Sequence, residues 1–168
     1  MLERDREETI ARYRARYQQY GYDPKTLGWT KGRQHVRFAA ALELIGEDFG
    51  SIIDVGCGFG DLFGYLKGIG WRGDYIGYDI CPELLDEGRK RYGADGAQFE
   101  CLDFSTTPPQ VLAQVAVSIG MFNHKLQGDN WEFVQSTLKA MRQTTSDAIV
   151  ADFLSTTADK PHEHLFHV

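Results

Sequence analysis

Hydrophobic and polar positions change rhythm once along this chain of 168 residues. Over the first 46 residues the apolar positions recur at steps of three and four, the period of a helix. Ile10, Tyr13, Tyr17 and Tyr20 form one stripe in a predicted helix over 3–20, closed by Gly21 and the Asp23-Pro24 break. A loop holding Trp29 leads to a second helix from about Gly32 to Ile45, with Val36, Ala39, Ala40 and Leu44 expected inward and Gly46 as its stop. From Ser51 the pattern becomes short apolar runs separated by amphipathic stretches. The runs at 51–55, 74–79, 97–102, 115–119 and 148–154 read as strands. Helices are predicted over 61–67, 82–92, 107–114 and 129–141. Pro82 opens the second and Pro108-Pro109 opens the third; Trp131, Val134, Leu138 and Met141 face inward in the fourth.

Strands alternating with helices predict an α/β fold: a Rossmann-like three-layer sandwich with a mainly parallel sheet of five strands and N-terminal helices. The length suits a single domain over 1–168. Within it, 1–46 reads as a helical lid, 47–154 as the core and 155–168 as a tail.

Composition narrows the class of protein. Apolar residues make up 42% and charged residues 25%, ordinary for a globular chain. No apolar run approaches the ~18–20 residues of a membrane span. The first residues are too charged for a secretory signal. Cys57, Cys81 and Cys101 lack metal-binding spacing and read as reduced thiols. The expectation is a cytoplasmic protein with no membrane partner. The net charge of −6 argues against a nucleic-acid partner. Arg12, Arg14 and Arg16 follow Glu3, Asp5, Glu7 and Glu8, the order a helix dipole favours, so they read as a solvated face. His162, His164 and His167 near Glu163 lack a fixed scaffold and are read as a disordered or swapped tail; no metal site is expected.

The candidate chemistry begins at Asp54, in D-V-G-C-G-F-G-D directly after the first strand. Ligands of open α/β sheets sit beyond the carboxyl ends of the strands. A dinucleotide loop needs GxGxxG, and neither register of Gly56, Gly58 and Gly60 supplies the third glycine. Asp61 at the helix start would repel a pyrophosphate, and Asp54 suits a cationic ligand better than an anion. An ammonium and a sulfonium, the charges of S-adenosylmethionine, match such a loop. A dinucleotide-dependent oxidoreductase is correspondingly disfavoured.

The loop resembles motif I, (D/E)xGxGxG, of the class I S-adenosylmethionine-dependent methyltransferases, and the resemblance covers about residues 35–154. Asp79, nineteen residues after Gly60 in Y-I-G-Y-D-I, matches the acid that binds both ribose hydroxyls in that family. Asp103, in F-E-C-L-D-F, matches the acid that accepts from the adenine amino group, with Ile80 and Leu102 as adenine walls. The resemblance implies a cofactor site of Asp54, Gly56, Cys57, Gly58, Gly60, Asp79, Ile80, Leu102, Asp103, Phe104, Gly120 and Met121. S-adenosylmethionine is the implied cofactor and S-adenosylhomocysteine the product. Gly120-Met121-Phe122-Asn123-His124 stands where amino-directed nucleic-acid methyltransferases carry (D/N)PP(Y/F), so a small-molecule acceptor is expected. His124 is the candidate base or acceptor-orienting group, and Asn123 a second orienting group. Lys31 or Arg37 is a candidate partner of the methionine carboxylate.

The family's sheet usually has seven strands, and the chain has room for five. Strand five is therefore expected at an exposed edge, covered either by further chain or by a second copy in a homo-oligomer. The alternative function is a non-catalytic S-adenosylmethionine-binding module that assembles with a partner.

Overall fold

The computed structural model describes residues 1–29, 32–46, 48–157 and 163–168. Two helices come first, α1 (Glu3–Tyr20) and α2 (Gln34–Ile45). Then β1 (Ser51–Val55), α3 (Asp61–Gly68), β2 (Asp74–Asp79), α4 (Pro82–Tyr92) and β3 (Gln98–Cys101) alternate. β4 (Ala113–Ser118), α5 (Asn130–Gln143) and β5 (Thr145–Ala151) complete the core. The sheet runs β3-β2-β1-β4-β5, and all four pairings are parallel. Chain order reverses between β1 and β4, and a crevice opens above their carboxyl ends.

Side-chain alternation along the strands sorts two cores. Ile52, Tyr75, Val115 and Val117 pack under α2, α3 and α4 through Phe38, Leu42, Phe63, Leu66 and Leu85. Ile53, Val55, Tyr78 and Ala116 pack on the other face against Ala140 and Met141 of α5 and against Phe104. Ala113 packs in the same cluster as Ala116, and beside it the pairing with β5 shifts register, two steps of β4 from Ala113 to Val115 facing three of β5 from Thr145 to Ala148.

Three sequence expectations fail locally. Residues 107–114 form no helix; 107–112 are turn and coil and β4 already begins at Ala113. Pro108 holds Thr107 out of helical geometry, and too few residues remain before the strand to complete even two turns. α2 presents the opposite face to the one expected: Phe38, Ala41 and Leu42 are buried, while Val36 is 53% and Leu44 76% exposed. The run VRFAAALELI is apolar on two faces, and burying Phe38 and Leu42, each worth ~1.5–3 kcal/mol, decides the phase. Trp131 likewise turns outward and is 50% exposed, leaving Phe133, Val134, Thr137, Ala140 and Met141 as the inner face of α5.

Part of the tail is ordered against the core. Phe166 packs edge-on against Trp131, with ring centroids 5.4 Å apart. The Phe166 amide donates to the Asn123 carbonyl and the Val168 amide to the Leu154 carbonyl. Residues 163–168 are thus neither disordered nor swapped; His162 lies outside the described residues. β5 is the sheet edge, as expected, and among the described residues Thr145–Ala151 pairs only with β4.

The turn from β1 into α3 depends on glycine. Gly60 caps α3 with φ 77°, and a Cβ there would stand 2.6 Å from the Phe99 ring. Both the backbone angle and the space exclude a side chain. Gly60→Ala is expected to lower the unfolding free energy by roughly 1–3 kcal/mol, since strain and overpacking each cost about that much. Urea denaturation measures it; a variant as stable as the parent would refute this packing role.

Candidate functional site

The crevice above β1 and β4 is a cleft with about 1040 Å³ of space, its open mouth included. Its floor is the β1–α3 turn. Gly56, Gly58 and Gly60 all have positive φ. A Cβ on Gly56 would meet the Met121 sulfur at 2.9 Å, and one on Gly58 would meet Leu27 at 3.0 Å. The bare backbone therefore forms the wall where the two loops approach. Cys57, whose thiol is buried, turns toward β2: a Cβ on Gly77 would meet its sulfur at 2.7 Å.

Asp79 fastens this turn. It stands at the end of β2, accepts the Gly58 amide at 2.9 Å and accepts the Cys81 amide at 2.9 Å. One carboxylate thus ties the glycine turn to the start of α4. Burial raises its pKa, and these amides work against that rise. Asp54, on β1, is also buried and accepts the Tyr75 hydroxyl at 2.7 Å. Burial pushes its carboxyl up to about 7, with Tyr75 opposing and the neighbouring Asp79 adding to the rise. Near neutral pH Asp54 is therefore poised between its charged and neutral forms.

Asp103 lies on the cleft wall beside Ile80, Leu102 and Phe104. Its Oδ1 accepts the Ser105 amide at 3.1 Å and the Ser105 hydroxyl at 2.6 Å, so it shapes the turn and faces the cleft together. Phe104 is buried edge-on against Tyr78, whose hydroxyl is buried without a partner.

The far wall follows β4. Gly120, Met121 and His124 line the cleft. Asp152 holds this segment by accepting the Gly120 amide at 2.6 Å. Asp152 also pairs with Arg37, whose guanidinium lies 4.8 Å over the Trp29 ring. Of the two expected partners of the methionine carboxylate, Arg37 is thus committed to Asp152, and Lys31 lies outside the described residues. His124 is held against α1, its Nε2 3.4 Å from the Tyr13 hydroxyl. Burial first, then Arg12 and Arg16, push its pKa down to about 4.

Twelve of the fourteen residues singled out from sequence line this one cleft. The other two do not. Gly60 faces the Phe99 core, and Asn123 packs beside Gly120 and holds the tail through its carbonyl. Asp61 also turns away: it accepts the Tyr22 hydroxyl at 2.7 Å, and burial raises its pKa, so it does not face a ligand on the cleft floor. Sequence reading missed Asp152, which has no motif and acts 32 residues from the amide it holds. It also missed Asp5, buried on α1, which accepts the Gln127 and Gly128 amides at 2.7 and 3.1 Å.

α1 closes the cleft from above. Tyr17 donates to Glu87 of α4 at 2.9 Å, Arg14 pairs with Glu83, and Tyr13 and Tyr17 pack over Phe59 and Leu84. Asp5 holds the other end to the loop after β4. Among the described residues no group of three or more His, Cys, Asp or Glu side chains is placed to hold a metal.

The architecture recurs in solved structures. The DhpI–SAH complex superposes with a TM-score of 0.70 over 100% of this chain and 82% of that one, at 17% identity. Magnesium protoporphyrin IX methyltransferase (ChlM) from Synechocystis PCC 6803, with bound SAH, superposes with a TM-score of 0.67 over 96% and 78%, at 14% identity. At such identities the likeness is one of fold. A Mycobacterium tuberculosis protein named as methyltransferase Rv1506c is 29% identical over 113 residues. That match spans 65% of this chain and 66% of the relative. A family model described as a methyltransferase domain matches residues 52–145, more than half of the chain, and the chain belongs to that methyltransferase domain family.

Proposed function

We propose that the chain binds S-adenosylmethionine in this cleft and transfers its methyl group to a small-molecule acceptor, releasing S-adenosylhomocysteine. The observation that carries the reading is the convergence of the Gly56–Gly58 turn, Asp79 and Asp103 on one cleft at the switch point of the sheet. Asp79 keeps lone pairs beyond its two amide bonds and is placed to accept both hydroxyls of a ribose. Ile80, Leu102 and Phe104 offer apolar walls for adenine, with Asp103 at their edge. Asp54 lies beside the turn, where a ligand's ammonium would be drawn to its charged form. Gly120 and Met121 line the side that faces the methionine end. α1, with Leu27 and Trp29 after it, acts as a lid over the acceptor side, while α2 belongs to the core layer through Phe38 and Leu42. The similar DhpI and ChlM structures are complexes with S-adenosylhomocysteine, and ChlM is a magnesium protoporphyrin IX methyltransferase.

When bound, the cofactor supplies an electrophilic methyl on sulfur. With that chemistry supplied, the chain's own residues would contribute chiefly positioning, the Gly56–Gly58 turn and Asp79 on one side of the cleft and Tyr13 and His124 on the other. His124, with a pKa of about 4, is neutral at pH 7 and too weak a base to remove a proton efficiently. Its role is to hold the acceptor by a hydrogen bond rather than to deprotonate it.

Calorimetric titration with S-adenosylhomocysteine and NAD tests the reading. NAD binding without adenosyl-ligand binding would overturn it, and an acceptor screen scored by S-adenosylhomocysteine release tests turnover. Asp79→Ala is expected to weaken S-adenosylhomocysteine by roughly 10–100-fold, because hydrogen bonds to a charged group are worth ~1.5–3 kcal/mol and the turn also loses its clasp. Unchanged affinity would remove Asp79 from the site.

The Asp54 carboxyl sets a pH dependence. Below its pKa of about 7 it is protonated and neutral, so a cationic ligand gains nothing from it. Affinity for S-adenosylmethionine is expected to rise between pH 5.5 and 7.5, by up to about tenfold per unit at the acid end. Asp54→Asn flattens that rise. A variant that keeps the full parental slope would assign the titration to another group.

A further inference from the structure

The lid carries more positive charge toward the cleft than its own acids neutralise. Asp5, Thr9, Arg12 and Arg16 follow steps of four, three and four, so they share one face of α1. That face points inward: Asp5 is buried and Thr9 lines the cleft. The other arginines of α1 are all engaged, Arg4 with Glu8, Arg6 with Glu3 and Arg14 with Glu83. Arg12 and Arg16 form no ion pair among the described residues. Each buries an Nη1 that has no hydrogen-bond partner. The nearby acids are occupied: Asp5 by the Gln127 and Gly128 amides, Asp79 by the Gly58 and Cys81 amides.

Two adjacent guanidinium groups with buried, unused donors are costly unless something negative completes them. Their surroundings place that something at the acceptor end of the cleft. Arg16 lies 5.9 Å from the centroid of the Tyr13 ring, and its Nη1 would stand 3.4 Å from a Cβ placed on Gly28. Tyr13 and His124 line the cleft and touch each other, and both arginines act on the pKa of each. Leu27 and Trp29, flanking Gly28, also line it.

We propose that Arg12 and Arg16 form an anion subsite that selects an acceptor carrying a carboxylate or a phosphate group and presents it beside His124. Planar guanidinium forks one helical turn apart match the oxygens of either anion. The inference rests on the methyltransferase reading for the word acceptor, but the anion site itself can be tested without it.

The test uses the full chain. Inorganic phosphate and acetate are titrated at fixed ionic strength, first alone and then with S-adenosylhomocysteine present. Saturable binding of at least one anion is expected, and which of the two binds tells phosphate from carboxylate. Arg12→Gln/Arg16→Gln should weaken it at least about tenfold, the value of one charged hydrogen bond. Arg4→Gln/Arg6→Gln, an equal charge change on the same helix at two pairs that do not reach beyond it, should leave it unaltered. Arg12→Lys/Arg16→Lys keeps the charge without the forks and should fall between, which secures the comparison if the glutamine variant folds poorly. No saturable binding of either anion by the parent chain, or an equal loss in Arg4→Gln/Arg6→Gln, overturns the proposal. So does an Arg12→Gln/Arg16→Gln variant that loses S-adenosylhomocysteine affinity while keeping the anion, since the pair would then serve the cofactor's carboxylate. Anion binding by a chain that never binds S-adenosylhomocysteine would keep the subsite and sink the methyltransferase reading instead.

Discussion

The bond on which the site depends runs from the Gly58 amide to the Asp79 carboxylate. A turn with three glycines at positive φ is costly to hold in one shape. Buried Cys57 and Phe59 anchor it by packing, the Tyr78 carbonyl accepts the Gly56 and Cys57 amides, and Asp79 adds a side-chain clasp from the neighbouring strand while accepting the Cys81 amide at the head of α4. The residue proposed to recognise a ribose is therefore also one that preorganises the loop beneath it. The cost is electrostatic. Asp54 and Asp79 lie near each other under buried conditions, and each has its pKa raised chiefly by desolvation. An unliganded cleft of this kind holds charge that water solvates poorly, and a cationic ligand relieves it.

The acceptor side is built differently, from segments far apart in sequence. Tyr13 reaches His124 across 111 positions, and Asp5 reaches Gly128 across 123. Asp152 steadies Gly120 and draws Arg37 onto Trp29. From the outer side, residues 164–166 pair with 123–125. None of these contacts belongs to the strand–helix repeat. They pin the loop after β4 between the lid and the tail.

This division explains what the sequence showed. β1, β2, α1 and α4 were legible to within a residue because glycines, prolines and a change of period punctuate them. Asp79 and Asp103 were legible because they stand at strand ends at family spacing. The phase of α2 was not, because its apolar residues cover two faces and only the competition between Phe38 and Leu44 for the core settles it. Gly60 was misassigned for a related reason: spacing alone cannot say whether a glycine clears room for a ligand or for Phe99. Arg12 and Arg16 were read as a solvated face because acid-then-base order along a helix has a local explanation. Which of those charges finds a partner is decided by tertiary contact, and Arg14 found Glu83 where its two neighbours found none.

The two halves of the cleft then have opposite character. Asp54 and Asp79 make the sheet side acidic; Arg12 and Arg16 make the lid side basic, and Tyr13 lies between, acted on by both. A sulfonium on the acidic side and an anion on the basic side would each be held by complementary charge. Where the anionic oxygen is the nucleophile, methyl transfer joins its negative charge to the positive charge on sulfur, leaving a neutral ester and a neutral thioether at the reacting atoms. Charge is cancelled as the transition state is approached, and a site that excludes water would favour such a reaction over bulk water, which solvates the separated ions better. The same cancellation weakens the grip of each wall on what it held, so the charges that assemble the substrates would also loosen the products.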